Sequence, residues 1–143
     1  MTVFHVVLGV SLIAVNVAAG ALGVWRWQRG ELSRVFWPLL RTGQALVAVE
    51  ALDGGVLLLL GAELPRLHLI YGLVPLGVAF IAEQLRLTSA QAVLDARGVA
   101  SARELPSAEA DAAVLDILLR EMGVMAASAL VVAALGLRAG GLL

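Results

Sequence analysis

The two histidines of the chain stand in the same short pattern, in which a glycine follows four residues later. The pattern HVVLG begins at His5 and ends at Gly9, and HLIYG begins at His68 and ends at Gly72. Each pattern opens a long apolar run. A haem held in a helical bundle needs two axial imidazoles at matching depth on facing helices. The pair therefore predicts that His5 and His68 ligate the iron of one haem.

Residues within one helical turn of the histidines would shape the space around such a cofactor. Because residues four apart lie on one helix face, Gly9 and Gly72 remove side-chain bulk below each imidazole, where a porphyrin would press. We expect Tyr71 to line the same space and Arg66 to reach a haem propionate, because a guanidinium is well suited to carboxylates. A structural alternative stays open, since a histidine near a helix end often bonds only a carbonyl or a headgroup, and small residues four apart are ordinary packing devices.

The elements that must position these residues are helices of membrane length. The 143 residues are 61% hydrophobic and only 15% charged, with a mean hydropathy of +0.95, far from the soluble average. We predict an all-α, integral membrane, four-helix transmembrane bundle that forms a single domain over residues 1–143 in the lipid bilayer. A span needs about 20 residues, and the four spans are predicted at residues 3–24, 38–61, 67–87 and 114–137. A polar cytoplasmic loop is predicted at residues 88–113.

The arginines set the expected orientation. Because cytoplasmic loops of membrane proteins carry an excess of positive charge, the side with more arginines is predicted to face the cytoplasm. Both termini are then outward, on the non-cytoplasmic side, and the histidines lie in the outer leaflet of a membrane that we expect to be a bacterial plasma membrane. The arginines in or beside the first-to-second and third-to-fourth connections are Arg26, Arg29, Arg34, Arg41, Arg86, Arg97, Arg103 and Arg120.

The composition also excludes several kinds of functional site. Cysteine is absent, which excludes disulfides and thiolate metal sites. The net charge of -1 gives no indication of a nucleic-acid partner. Glycine pairs such as Gly54-Gly55 lack the strand–loop–helix context of a phosphate-binding loop, and no nucleophile–base constellation is visible. The sequence leaves open whether the chain catalyses a reaction, and it does not name a redox partner, a substrate or an oligomeric state.

Acidic residues fall inside the second predicted span. Glu50 lies near its middle, and Asp53 follows three residues later on the same face. An acidic group at mid-membrane costs about 2.5–3.5 kcal/mol on insertion scales, so each is expected to be protonated, paired or directed into the bundle. The functional interpretation is a proton path or a quinone contact. The structural interpretation, which we favour, is an interhelical hydrogen bond to Asn16, Ser128 or a backbone carbonyl.

Further polar residues are predicted to be interfacial structure. Within the cytoplasmic loop, residues 89–97 are typical of a short interfacial helix that ends at Gly98. Three pairs at helical spacing can bond on one face, namely Arg41 with Gln44, Glu83 with Arg86, and Asp116 with Arg120.

The order of these features resembles that of a known family. An outward histidine precedes a helix that descends to the Arg/Trp-rich turn beginning at Trp25, and the returning helix carries Gln44 and Asp53-Gly54-Gly55. A short loop with Pro65 then leads to His68. This order is similar to one haem-binding half of the haem A synthase family, in which two pseudo-symmetric four-helix halves each hold a haem site between paired histidines. The resemblance covers residues 3–87 and implies haem binding.

The sequence thus supports three hypotheses. The first is a small membrane protein that binds one b-type haem between His5 and His68 for electron transfer or haem handling. The second is a non-catalytic accessory or assembly subunit of a larger respiratory or transport complex, favoured by the small size and the small-residue helix faces. The third is a small proton-coupled transporter that uses Glu50, Asp53 and Glu83, as a homodimer because four helices enclose little volume.

Overall fold

A computed structural model describes residues 3–63 and 65–142 of the chain, and these residues form four α-helices and one 3-10 turn. Each α-helix is long and apolar enough to cross a membrane. The described part of the chain therefore has the all-α, four-helix organisation of a multi-pass membrane protein. The helices are α1 (Val3–Gln28), α2 (Phe36–Leu59), α3 (Arg66–Asp95) and α4 (Ser107–Ala139), and the 3-10 turn is Ala102–Glu104.

The connection between α3 and α4 is shorter than predicted. α3 continues to Asp95 and α4 begins at Ser107, so much of the expected loop at 88–113 is helical. The helix expected at 89–97 is largely the last part of α3, and the chain turns at Gly98, where φ is +69°. The apolar run marks only what a bilayer can cover, whereas residues with high helix propensity such as Ala, Leu and Gln carry the helix further. In the predicted turn between α2 and α3, Leu64 lies outside the described residues.

The helices pack in the order α2, α1, α4, α3 around the bundle. α1 contacts α2 and α4, α4 also contacts α3, and α2 and α3 contact each other much less. Successive helices run in opposite directions, so the N-termini of α1 and α3 lie at one end with the C-termini of α2 and α4. We call this the histidine end because it holds His5 and His68. The opposite end, with the connections 29–35 and 96–106, is the arginine end.

The most buried side chains lie towards the arginine end. Phe36 of α2 and Met122 of α4 are both completely buried. At Gly23 of α1, an added Cβ would stand 2.5 Å from the Phe36 ring, so only glycine lets these helices approach so closely. The main cluster comprises Ala19, Phe36, Leu40, Ala82, Met122, Met125, Ala126 and Ala129.

The contact between α1 and α2 alternates large and small residues. In four pairs a glycine on one helix faces a larger side chain on the other, and the residue numbers of each pair add to the same total, as an antiparallel register requires. We call this contact the α1–α2 zipper. Its pairs are His5 with Gly54, Gly9 with Glu50, Asn16 with Gly43, and Gly23 with Phe36.

Candidate histidine site

His5 is buried in the first turn of α1, with 5% of its surface exposed. Its Nδ1 lies 2.9 Å from Oδ2 of Asp53 on α2. An ionised carboxylate can only accept a hydrogen bond, so Nδ1–H donates to Asp53. Gly54 faces the ring, and an added Cβ there would make an ordinary van der Waals contact with Cε1 at 3.8 Å. The bond fixes the orientation of the imidazole.

Glu50 stands beside the second ring nitrogen of His5. Its Oε1 lies 3.4 Å from Nε2 of His5, which is longer than a good N–H···O hydrogen bond. A Cβ at Gly9 would approach Oε1 to 3.2 Å, so this glycine gives the carboxyl group its place. Oε2 is buried and has no hydrogen-bond partner among residues 3–63 and 65–142. Glu50 therefore offers one unsatisfied oxygen beside the imidazole.

His68 on α3 lies across the bundle from His5. The two ring centres are 5.8 Å apart, and the ring planes make an angle of 51°. Nδ1 of His68 lies 3.0 Å from the carbonyl oxygen of Ala139 near the end of α4. Since a carbonyl oxygen can only accept, His68 also donates from Nδ1. Both imidazoles thus use Nδ1 to hold their orientation, and all four helices contribute to the cluster.

A cavity of about 330 Å³ adjoins the two rings. Its walls come from all four helices and are largely apolar, and the cavity is partly open to the outside. At Gly72 an added Cβ would meet no atom within 4 Å, so this glycine widens the cavity directly. The residues that line it include His5, Glu50, His68, Tyr71, Gly72 and Pro75.

The predicted propionate anchor does not lie in this cavity. Arg66 is exposed at the start of α3 and is not among the residues that line the cavity walls. Arg138 of α4 does not line the cavity either, but its guanidinium lies 6.0 Å from the centre of the ring of Tyr71, which does. Packing of the α4 C-terminus against α3 brings Arg138 to Tyr71.

The two carboxyl groups of α2 have a partner that the sequence analysis did not name. Asn16 is buried on α1, and its Nδ2 donates to the Leu12 carbonyl at 2.9 Å, not to Glu50. Ser128 donates to the Met125 carbonyl at 2.8 Å. In the structure His5 is the neighbour of both Glu50 and Asp53.

Gln44 belongs to a separate polar cluster nearer the arginine end. Its Nε2 donates to Oε1 of Glu83 at 3.0 Å, and Arg41 donates to both Gln44 and Glu83. Arg86 donates to Oε2 of Glu83 at 3.1 Å and to Glu121 at 3.3 Å. The two pairs expected here thus form and join into one network across α2, α3 and α4. We call these five residues the arginine-end cluster.

The third expected pair is wrong. Asp116 accepts from Arg97 at 2.6 Å and does not pair with Arg120. The cause is the helical extension of α3 beyond the predicted span, which carries Arg97 up to the first turns of α4.

Comparison with known proteins adds no family to this description, because no family model, curated protein or solved structure matches the chain. Fold and site define the class: a bundle of four helices, each long and apolar enough to cross a membrane, with two imidazoles and two carboxyl groups clustered at one end. Among the described residues, no group of three or more His, Cys, Asp or Glu side chains is arranged to hold a metal ion.

Proposed function

We propose that the chain binds one b-type haem between His5 and His68 and serves electron transfer or haem handling. The observation that carries this proposal is the 5.8 Å separation of the two ring centres. Metal–imidazole bonds of about 2 Å place two imidazoles on opposite sides of one ion with their centres roughly 6 Å apart. The rings therefore have the spacing of an axial pair.

The hydrogen bonds of the two rings agree with this role. Histidines that bind a metal usually donate their other N–H to a carboxylate or a carbonyl, which fixes the tautomer. Asp53 accepts from His5, and the Ala139 carbonyl accepts from His68. Both rings are thus held before a ligand arrives, so less conformational entropy is lost when it binds.

The fit of a macrocycle places one demand on the site. Oε1 of Glu50 lies 3.4 Å from Nε2 of His5, the atom that would bind iron, so the Glu50 side chain has to turn aside. Its Oε2 has no hydrogen-bond partner among the described residues, and this rotation costs little bonding. The open space at Gly72 and the apolar walls would receive the ring. When bound, the haem supplies one-electron redox chemistry, while the chain holds the imidazoles and excludes water.

The membrane placement is part of the proposal. The arginine-rich connections would face the cytoplasm and the histidine end would lie in the outer leaflet of a bacterial plasma membrane. The aromatic ring of Trp25, with the guanidinium groups of Arg26 and Arg29 at 4.8 and 4.6 Å from its centre, supports an interfacial position for that end of α1.

The experiment that tests the haem proposal uses His5→Ala and His68→Ala, with Ser11→Ala on α1 as the control. Each variant is expressed in membranes, purified in detergent and assayed for haem per chain. We expect the control to retain haem, and each histidine variant to insert normally but lose it. Full haem occupancy in the double histidine variant would overturn the proposal.

A proton-coupled transporter is the second candidate, and one observation favours it. Glu50 and Asp53 both contact His5 at the cavity, and Oε2 of Glu50 has no partner among the described residues. Glu83 belongs to the arginine-end cluster, so transport would rely on Glu50 and Asp53 alone. Loss of substrate-driven proton movement in proteoliposomes of Glu50→Gln, with no haem in the wild type, would favour this candidate.

A further inference from the structure

We infer that Asp53 is a positioning residue that strengthens His5 as an electron donor to iron and keeps the reduction potential of the haem low. This inference rests on the proposed haem function and adds the way in which the chain sets the cofactor's potential. His5 and His68 then have different roles, although they stand in the same sequence pattern.

The difference lies in the groups that accept the two Nδ1–H bonds. His5 donates to a carboxylate at 2.9 Å, whereas His68 donates to a neutral backbone carbonyl at 3.0 Å. Hydrogen bonds to ionised acceptors are roughly twice as strong as neutral ones. A carboxylate partner also raises the basicity of a ligating imidazole. His5 is therefore the more strongly donating axial ligand.

Burial makes the carboxylate effective. The His5 side chain is 6% exposed and that of Asp53 19%, so water screens their interaction only weakly. A carboxylate held beside an axial ligand favours the higher charge of the iron, the ferric state.

A low reduction potential limits which electron donors can reduce the haem. Hydrogen bonding and charge around an axial ligand are among the means by which proteins set haem potentials. A centre that favours ferric iron accepts electrons only from a donor of lower potential. The chain would therefore serve at the low-potential end of an electron-transfer sequence.

The test is a spectroelectrochemical titration of the full-length, haem-loaded protein at one fixed pH. Asp53→Asn keeps an oxygen that accepts from Nδ1–H but removes the charge. We expect the ferrous-to-ferric ratio at a given potential to rise at least tenfold, which is a shift of about 59 mV or more for one electron. Asp116→Asn, which removes a carboxylate from the exposed pair with Arg97, is the matched control and should leave the potential unchanged.

The results for the Asp53 variants distinguish failure of this inference from failure of the haem proposal. Haem retained by Asp53→Asn at the wild-type potential would overturn the inference and leave the haem proposal standing. If Asp53→Asn loses haem, Asp53→Glu is decisive, because it keeps the carboxylate. Haem retained at a low potential in that variant supports the inference, and loss in both variants overturns it, because Asp53 would then act in holding the haem and not in setting its potential. A wild-type protein that takes up no haem would fail at the earlier step, as a failure of the proposed function.

Discussion

The buried side chain of Asn16 on α1 fits against Gly43 on α2 so closely that a Cβ at position 43 would lie 2.9 Å from its amide atoms. Asn16 cannot easily move away, because its Nδ2 donates to the Leu12 carbonyl at 2.9 Å. This contact is the centre of the α1–α2 zipper, which holds His5 against Glu50 and Asp53. The geometry of the histidine site therefore depends on glycines two to three turns away from it.

Gly43→Ala tests the zipper. We expect a loss of stability of about 1–3 kcal/mol, the usual cost of overpacking a tight interior. Gly77→Ala on α3 is the matched control, since an added Cβ there meets no atom within 4 Å, and the better helix propensity of alanine should stabilise it by up to about 1 kcal/mol. Thermal unfolding in detergent measures both. Equal melting temperatures for the two variants would contradict the zipper.

Gly72→Leu tests the cavity. The leucine side chain would fill the open space beside His68, so we expect haem loading to fall at least tenfold while the fold remains. Gly77→Leu places the same side chain on the same helix at a position that is also open but does not line the cavity, and it should load haem normally. If both variants load haem like the wild type, the cofactor does not occupy this cavity.

Glu83→Gln tests the arginine-end cluster. The substitution removes the carboxylate between Arg41 and Arg86, whose groups are only partly exposed, at 49% and 26%. We expect a loss of about 1–2 kcal/mol, below the cost for fully buried charges because water still reaches the site. Glu31→Gln, in the exposed pair with Arg26, should cost less than about 1 kcal/mol. Similar losses in denaturation of the two variants would mean that the cluster adds no stability of its own.

Orientation can be tested with single cysteines, because the natural chain has none. Ser101→Cys lies in the connection between α3 and α4, and Leu142→Cys follows α4. In intact cells with an accessible plasma membrane, we expect a membrane-impermeant maleimide to label position 142, and to label position 101 only after permeabilisation. The reverse pattern would place the histidine end in the cytoplasmic leaflet.

Much of the architecture can be predicted from apolar run length. The four helices and the shared end of His5 and His68 follow from counting residues across a bilayer and from the alternation of helix direction. Helix ends could not be obtained this way, because α3 and α4 continue as helices beyond their apolar runs. Contacts such as Arg97 with Asp116 depend on those extensions and were missed with them.

The carboxylate partners of His5 could have been predicted from the spacing of residues on α1 and α2. On α1 the spacing runs from His5 to Gly9, Asn16 and Gly23, and on α2 the same intervals run in reverse. The matching positions on α2 are Gly54, Glu50, Gly43 and Phe36. Two antiparallel helices with mirrored intervals of large and small residues predict a register, and that register places Glu50 and Asp53 beside His5. By contrast, the approach of Arg138 to Tyr71 depends on the packing of α4 and has no comparable signal.

The central claim is tested most directly by the visible absorption spectrum of the detergent-purified wild-type protein, oxidised and then reduced with dithionite, with pyridine haemochrome quantification. We predict a Soret band and sharp α and β bands on reduction, the pattern of an iron with two imidazole ligands, at one haem per chain. A protein that stays colourless after reconstitution with haem would contradict the account, and His5 and His68 would then serve only to join the four helices at this end.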